Sequence, residues 1–121
     1  MKLILLEDDP LIAVCTEDAL AEAGYEVFAS NAGEEAFELL EAHPDVAVMM
    51  IDIRLVGGLD GWVVAQEVRA SHPDMAIVYT TTVRGLAFAE NGVDRSVLLQ
   101  KPYTLEKAVG AAREAVSKVT A

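Results

Sequence analysis

Five side chains that could act together on a phosphoryl group each follow a short apolar run of the sequence. In chain order they are Glu7, Asp8, Asp52, Thr81 and Lys101. In an open parallel sheet, ligands bind at the carboxyl edge of the strands. If the apolar runs are parallel strands, three carboxylates, a hydroxyl and an ammonium therefore meet on one patch. Such a set suits a divalent cation beside a phosphoryl group, because Mg²⁺ prefers oxygen ligands and an ammonium offsets phosphoryl charge.

Asp52 is the candidate to react, since a carboxylate can attack phosphorus and form an acyl phosphate. Lys101 and Thr81 would then bond the phosphoryl oxygens, where positioning and electrostatics supply most of the catalysis. Two structural roles compete with this interpretation. Asp52 could cap the loop that follows it, and the pair Glu7-Asp8 could only place negative charge at a helix N-terminus. The pair alone favours the structural role, but together with Asp52 it favours the metal site.

The elements that must position these residues alternate along the whole chain. Solid apolar runs predict strands buried on both faces, and apolar spacing of 3.6 residues predicts helices. The predicted strands cover residues 2–6, 25–30, 46–51, 75–80 and 97–99. The predicted helices run from the cap Asp9 to Gly24 and over residues 33–43, 62–71, 84–91 and 104–119. This alternation predicts a doubly wound α/β fold, a five-stranded parallel sheet with helices on both faces.

The first and last helices each carry an apolar stripe that we expect to face the sheet. In the first helix the stripe is Leu11, Val14, Cys15, Ala19 and Leu20. In the last helix it is Leu105, Ala108, Val109, Ala112 and Val116. The single cysteine is therefore predicted to be a buried small side chain rather than a reactive thiol.

The composition indicates one globular domain with strong negative charge. The 121 residues carry a net charge of −11 and are 53% hydrophobic, so we expect a single domain over residues 1–121. The charge disfavours nucleic-acid binding, which needs Lys and Arg against phosphates. Apolar runs fall short of the roughly 20 residues of a membrane span, and acids at 7–9 interrupt the N-terminal stretch too early for a signal peptide. We expect a cytoplasmic protein with no membrane contact.

The acid pair, Asp52, Gly61 and the turn Lys101-Pro102-Tyr103 together resemble the receiver domain of two-component response regulators, over residues 1–120. The resemblance implies a flavodoxin-like sheet with strand order 2-1-3-4-5. It implies that Asp52 accepts a phosphoryl group from a phosphohistidine on a sensor histidine kinase or a histidine phosphotransfer protein. We expect a single-domain response regulator of the stand-alone type, a receiver domain over residues 1–121 without an output domain.

The same resemblance implies a Mg²⁺ cofactor, with Mn²⁺ as an alternative. The ion would be held by Glu7, Asp8, Asp52 and the main-chain carbonyl of Arg54. Phosphorylation would draw the switch hydroxyl toward the phosphoryl group and remodel the face around strand four, the helix after it and strand five. A downstream protein target could bind that face.

The switch region and one position of the fifth predicted strand depart from the usual pattern of the family. Thr80, Thr81 and Thr82 fill the switch region; we assign the functional hydroxyl to Thr81, with Thr80 as the rival. Thr82 is bulkier than the usual small residue and is expected to narrow access to Asp52. Leu98 stands where many receivers carry an aromatic that swings inward on activation. This change puts the usual coupling between the threonine and the aromatic in question, with Tyr79 and Tyr103 as alternative aromatic partners.

Three further residues are expected to tune the site. Arg54 and Val83 flank the approach of water and should affect the lifetime of the phosphoryl group more than folding. Pro102 follows Lys101, and a cis bond between them would direct the lysine toward Asp52. The sequence leaves the isomer of this bond open.

Three functions are compatible with these residues. A phosphorylatable switch, which catalyses only its own phosphorylation and dephosphorylation, leads. The unusual switch region motivates the alternative, a receiver-fold interaction module that works without phosphorylation. A phosphohydrolase of the haloacid dehalogenase type ranks last, because those enzymes usually carry a second Asp two positions after the nucleophile, where this chain has Arg54.

Overall fold

The computed structural model describes residues 1–55, 60–82 and 91–120, which form a five-stranded parallel sheet covered by helices on both faces. The strands are β1 Lys2–Leu6, β2 Glu26–Ser30, β3 Val46–Asp52, β4 Ala76–Thr81 and β5 Ser96–Gln100. The helices are α1 Pro10–Glu22, α2 Gly33–Ala42, α3 Gly61–Ser71 and α4 Leu105–Val119. The strand order β2-β1-β3-β4-β5 confirms the predicted doubly wound fold.

The element boundaries lie close to the predicted ones within these ranges. Val83 and most of the predicted helix over residues 84–91 lie outside the described residues. Among the helices that the structure describes, none combines the length and the apolar character needed to cross a membrane.

Local sequence signals account for both ends of α1. The Asp9 carboxylate accepts hydrogen bonds from the backbone N–H groups of Leu11 and Ile12, and Pro10 occupies the first turn, where its missing N–H costs nothing. Gly24, just past the helix, has φ 104°, a left-handed conformation that an L side chain would strain. These two signals turn the chain from the end of β1 into α1 and back toward β2.

The sheet separates two apolar cores, and its central strands are buried on both sides. One core lies between the sheet and the helices α1 and α4, and includes Leu3, Leu5 and Met50. The other lies between the sheet and the helices α2 and α3, and includes Met49 and Tyr79. Full burial of a large apolar side chain contributes about 1.5–3 kcal/mol. This double coverage explains why β3 is a solid apolar run, and it fixes the position of the strand ends.

The predicted stripe of α1 is wrong for three of its residues. Thr16 and Leu20 are fully buried, whereas Leu11 is 73% and Val14 59% exposed, and Cys15 is exposed as well. The helix is apolar around much of its circumference, so its periodicity does not specify which face meets the sheet. We call the exposed residues Leu11, Val14 and Cys15 the α1 patch.

The stripe of α4 is correct except at its first residue. Ala108 and Ala112 are fully buried, with Ala111 and Ala115, whereas Leu105 is 45% exposed. Leu105 lies in the first turn, beside the groove between α1 and α4 that Cys15 also lines. The small side chains of this stripe allow α4 to approach the sheet closely.

Candidate functional site

The carboxyl ends of four strands bring most of the predicted site residues to one cavity or into contact with its lining. Glu7 follows β1, Asp52 and Thr81 end β3 and β4, and Lys101 follows β5. The cavity has a volume of about 500 Å³ and is open to solvent. Its lining residues are Asp8, Asp9, Pro10, Ile12, Asp52, Arg54, Thr81, Thr82 and Lys101. Parallel strands end at one edge of the sheet, which is why residues 94 positions apart in the chain, Glu7 and Lys101, are in contact.

Lys101 joins the two buried carboxylates. Its Nζ lies 2.9 Å from Asp52 Oδ2 and 2.7 Å from Glu7 Oε1. All three side chains are largely removed from solvent, with exposures of 10%, 5% and 1% in the order Lys101, Asp52, Glu7. Burial acts to lower the pKa of Lys101, but its bonds to Glu7 and Asp52 and their charges outweigh burial and raise the pKa. The ammonium therefore stays charged beside Asp52.

Three carboxylates at this edge form a cluster that fits a hard divalent cation. One carboxylate oxygen from each of Glu7, Asp8 and Asp52 lies within 4.8 Å of the other two. Asp8 is exposed, and its pKa is raised, first by its hydrogen bond with Asp52 and then by burial. A cluster of three carboxylates is an all-oxygen donor set, and it suits Mg²⁺, which binds carboxylate oxygens and keeps several waters. Arg54, whose carbonyl was the fourth predicted ligand, lines the same cavity.

The chain after Asp52 is held against the end of β3. Asp52 Oδ1 accepts a hydrogen bond from the Arg54 N–H at 3.0 Å. The Ile53 carbonyl accepts the Gly61 N–H at 2.8 Å, which brings the start of α3 against the end of β3. A Cβ on Gly61 would lie 2.6 Å from the Asp52 carbonyl oxygen and 2.7 Å from Ile53 Cα. Gly61 is thus required for its lack of a side chain.

The structure separates the three threonines of the switch region. Thr81 and Thr82 line the cavity with Asp52, whereas Thr80 is 2% exposed and lies opposite Asp52 in the register of β3 and β4. The Thr80 carbonyl accepts the Ile53 N–H at 3.1 Å. Thr81 is therefore better placed than Thr80 to meet a group bound at Asp52. Its switch role stays a prediction.

The lysine turn contacts α1 in a way that the sequence reasoning missed. The Lys101–Pro102 bond is cis, and the next residue, Tyr103, has its hydroxyl 2.9 Å from Thr16 Oγ1. Thr16 is fully buried on α1. The sequence signal for this contact was Thr16 itself, a polar residue one helical turn before Leu20. A threonine on a buried helix face needs a hydrogen-bond partner.

The fold and the acidic cavity define a receiver domain of two-component signalling, and comparison with known proteins agrees. The family model described as the response regulator receiver domain matches residues 3–113. A response regulator receiver protein from Sinorhizobium medicae is 31% identical, with a TM-score of 0.91, over 98% of this chain and 96% of that chain. A putative response regulator from Chloroflexus aurantiacus is 24% identical, with a TM-score of 0.83, over 96% and 97%. The chain belongs to the response regulator receiver family.

Two curated relatives are longer proteins. The sensor kinase CckA of Brucella abortus is 27% identical over 118 residues, which are 95% of this chain and 12% of the kinase. The transcriptional regulatory protein PdtaR of Mycobacterium tuberculosis is 28% identical over 120 residues, 97% of this chain and 57% of the regulator. This chain therefore spans little more than half of one relative and a small part of the other. Receiver domains are phosphoacceptor signalling domains that bind Mg²⁺ at an acidic pocket and interact with histidine kinases.

Proposed function

We propose that Asp52 accepts a phosphoryl group from a phosphohistidine on a sensor histidine kinase or a histidine phosphotransfer protein. The observation that carries this proposal is the Asp52 carboxylate, nearly buried at the base of an open cavity, 2.9 Å from the Lys101 ammonium and clustered with Glu7 and Asp8. An ammonium, two further acids and access from solvent around one nearly buried carboxylate are typical of a reactive group.

The step is a transfer from nitrogen to oxygen. A carboxylate oxygen of Asp52 attacks the phosphorus atom, a P–O bond forms, and the P–N bond breaks with its electron pair passing to the imidazole. The imidazole takes up a proton and leaves. The product is an acyl phosphate on Asp52, and later attack of water on phosphorus releases inorganic phosphate and restores the carboxylate.

The residues around Asp52 have separate roles in this proposal. Lys101 gives a fixed positive charge to the phosphoryl oxygens, and the Thr81 hydroxyl donates a hydrogen bond to one of them. A Mg²⁺ ion, or Mn²⁺, held by Glu7, Asp8, Asp52 and the Arg54 carbonyl would supply charge neutralisation for the transferring group. Thr82 narrows the entrance, and Arg54 lines the cavity through which water would approach. Substitutions of Arg54 and of Val83 should change the lifetime of the phosphoryl group more than they change folding.

The donor would have to cover the rim of the cavity, and two residues of the α1 patch, Leu11 and Cys15, lie beside this rim. A groove next to the cavity is lined by Leu11, Ile12, Cys15, Thr16, Lys101, Pro102, Tyr103 and Leu105, and it shares Ile12 and Lys101 with the cavity itself. We propose a protein donor with an apolar face for this groove. With a net charge of −11 on this chain, a basic rim on the partner is favoured and nucleic acid is not.

A mass measurement tests the proposal. The wild-type protein with Mg²⁺ and acetyl phosphate should gain the mass of one phosphoryl group, and Asp52→Asn should gain none. Asp60→Asn is the matched control: Asp60 lies outside the cavity and caps α3 through a 2.9 Å bond from the Val63 N–H, and asparagine caps equally well. This control should react like the wild type.

Two outcomes would reject the proposal. One is an adduct of undiminished size in Asp52→Asn. The other is a wild-type protein that takes up no phosphoryl group from acetyl phosphate or from a phosphorylated histidine protein. The second outcome would favour the interaction module that works without phosphorylation.

A further inference from the structure

Tyr79 is a buried tyrosine in the middle of β4 with a polar function that a phenylalanine could not perform. Its side chain is fully buried in the core between the sheet and the helices α2 and α3. Its hydroxyl accepts a hydrogen bond from the Val93 N–H at 3.0 Å. A hydroxyl in an apolar core costs stability unless it is hydrogen-bonded, and the Val93 N–H supplies such a bond here.

The ring of Tyr79 contacts the helix that starts beside Asp52. Its centroid lies 4.6 Å from that of Trp62, with the ring planes at 51°. Trp62 directly follows Gly61, whose N–H bonds the Ile53 carbonyl and where an added Cβ would lie 2.6 Å from the Asp52 carbonyl oxygen. Tyr79 is also two residues before Thr81 and so lies on the same face of β4. A displacement at Asp52 or at Thr81 would therefore reach this ring.

The hydroxyl of Tyr79 reaches the segment over residues 91–95, which leads into β5. Other bonds join this segment to α3: Gln66 Nε2 donates to the Asn91 carbonyl at 3.3 Å, and Arg69 Nη1 lies 3.2 Å from Asp94 Oδ1. Asp94 is 79% exposed in its side chain. The segment thus has one side on the core, at the Tyr79 hydroxyl, and the other on the surface.

The neighbouring strand offers no ring for the same purpose. Leu98 lies opposite Tyr79 in the register of β4 and β5 and packs against the same core. A leucine has neither a hydroxyl nor an aromatic plane. Of these two neighbouring residues, only Tyr79 can make both an aromatic contact with Trp62 and a hydrogen bond to the backbone of Val93.

We propose that Tyr79 is a positioning residue that couples the state of Asp52 to the surface segment at residues 91–95. The inference rests on the proposed function. When the Thr81 hydroxyl moves toward a phosphoryl group, β4 and the Tyr79 ring follow it, and the bond from Val93 to the Tyr79 hydroxyl weakens. The phosphorylated form then presents a changed 91–95 surface to a partner.

Amide hydrogen exchange with and without Mg²⁺ and beryllofluoride tests the coupling. In the wild type the Val93 amide should exchange faster in the beryllofluoride form by about fivefold, the factor that an ordinary hydrogen bond contributes to an opening equilibrium. Tyr79→Phe keeps the ring contact with Trp62 and removes the acceptor, so its Val93 amide should exchange fast in both forms. Tyr25→Phe, a tyrosine before the edge strand β2, is the control and should behave as the wild type.

The affinity for beryllofluoride is a second measurement, and a merely structural role of Tyr79 would leave it unchanged. If beryllofluoride weakens the Val93 bond, loss of that bond must strengthen beryllofluoride binding by the same factor. Tyr79→Phe should therefore bind beryllofluoride about fivefold more tightly, and Tyr25→Phe should not. Trp62 fluorescence measures this binding.

The outcomes separate this inference from the proposed function. No beryllofluoride binding by the wild type would overturn both. Binding without any change at the Val93 amide, a change that persists in Tyr79→Phe, or unchanged affinity in Tyr79→Phe would overturn the role of Tyr79 and leave the phosphoacceptor intact.

Discussion

Replacement of Gly61 by alanine should destabilise the protein, although the same change ordinarily stabilises a helix. Gly61 is the first residue of α3, and its φ lies outside the left-handed region, so an alanine could adopt its backbone conformation. The obstacle is steric. The new Cβ would lie 2.6 Å from the Asp52 carbonyl oxygen, about 0.8 Å short of the 3.4 Å at which ordinary contact begins.

The magnitude follows from what would have to move. Two of the three nearest atoms, Asp52 O and Ile53 Cα, are backbone atoms, so no flexible side chain can give way. Overpacking of this kind costs about 1–3 kcal/mol, and the smaller entropy of the unfolded alanine chain returns about 0.4–1 kcal/mol. The free energy of unfolding of Gly61→Ala should therefore fall by about 1–2 kcal/mol.

Gly110→Ala is the matched control, because a Cβ there meets nothing within 4 Å. Gly110 lies inside α4, and its replacement should raise the free energy of unfolding by about 0.4–1 kcal/mol. Urea unfolding measures both variants. Gly61→Ala should also bind beryllofluoride more weakly, since relief of the clash displaces Asp52. If Gly61→Ala proves as stable as Gly110→Ala, the close approach of α3 to β3 is not what requires glycine.

Two further changes test the charges of the site. Lys101→Met leaves the Glu7 and Asp52 carboxylates buried without their cation and should lower the free energy of unfolding by about 3 kcal/mol. Added Mg²⁺ should restore part of this loss. An equal loss of unfolding free energy with and without Mg²⁺, measured by urea unfolding, would contradict the assignment of a cation site to Glu7 and Asp52. Because the pKa of Lys101 is raised, its contribution is complete below the ordinary lysine pKa and is lost as pH rises through the raised value. Asp8→Asn should stabilise the metal-free protein at neutral pH and weaken Mg²⁺ binding by about tenfold. The pKa of Asp8 is raised by Asp52, so the native state binds its proton more tightly, and the advantage of Asp8→Asn should vanish as pH falls below the ordinary aspartate pKa. If the gain in stability of Asp8→Asn proves independent of pH, repulsion between the Asp8 and Asp52 carboxylates is not its cause.

The meeting of Glu7, Asp52 and Lys101 could be predicted because it depends on a general property of parallel sheets. Strands that run in the same direction end at the same edge, whatever the detailed packing. The alternation of apolar runs and amphipathic stretches was enough to place each residue at a strand end. No measurement of side-chain geometry was needed for that step.

The orientation of α1 could not be predicted, since the helix is apolar around most of its circumference. Leu11, Val14 and Cys15 are as apolar as the face that is buried, and only the packing against the sheet and α4 selects Thr16 and Leu20. The bond from Val93 to Tyr79 was equally hidden. It joins residues 14 positions apart through the path of the chain between β4 and β5, which no local pattern reports.

Because Cys15 is exposed, the unmodified chain can report two events through two separate fluorescence signals. This cysteine is the single thiol of the sequence and lies free on α1, so a maleimide dye would attach there alone. Trp62, the single tryptophan, packs on the opposite side of the sheet with Tyr79. The dye would sense a protein that arrives at the α1 patch, while Trp62 would sense the occupation of Asp52. A stopped-flow experiment could then time docking and phosphoryl transfer separately, without one engineered residue.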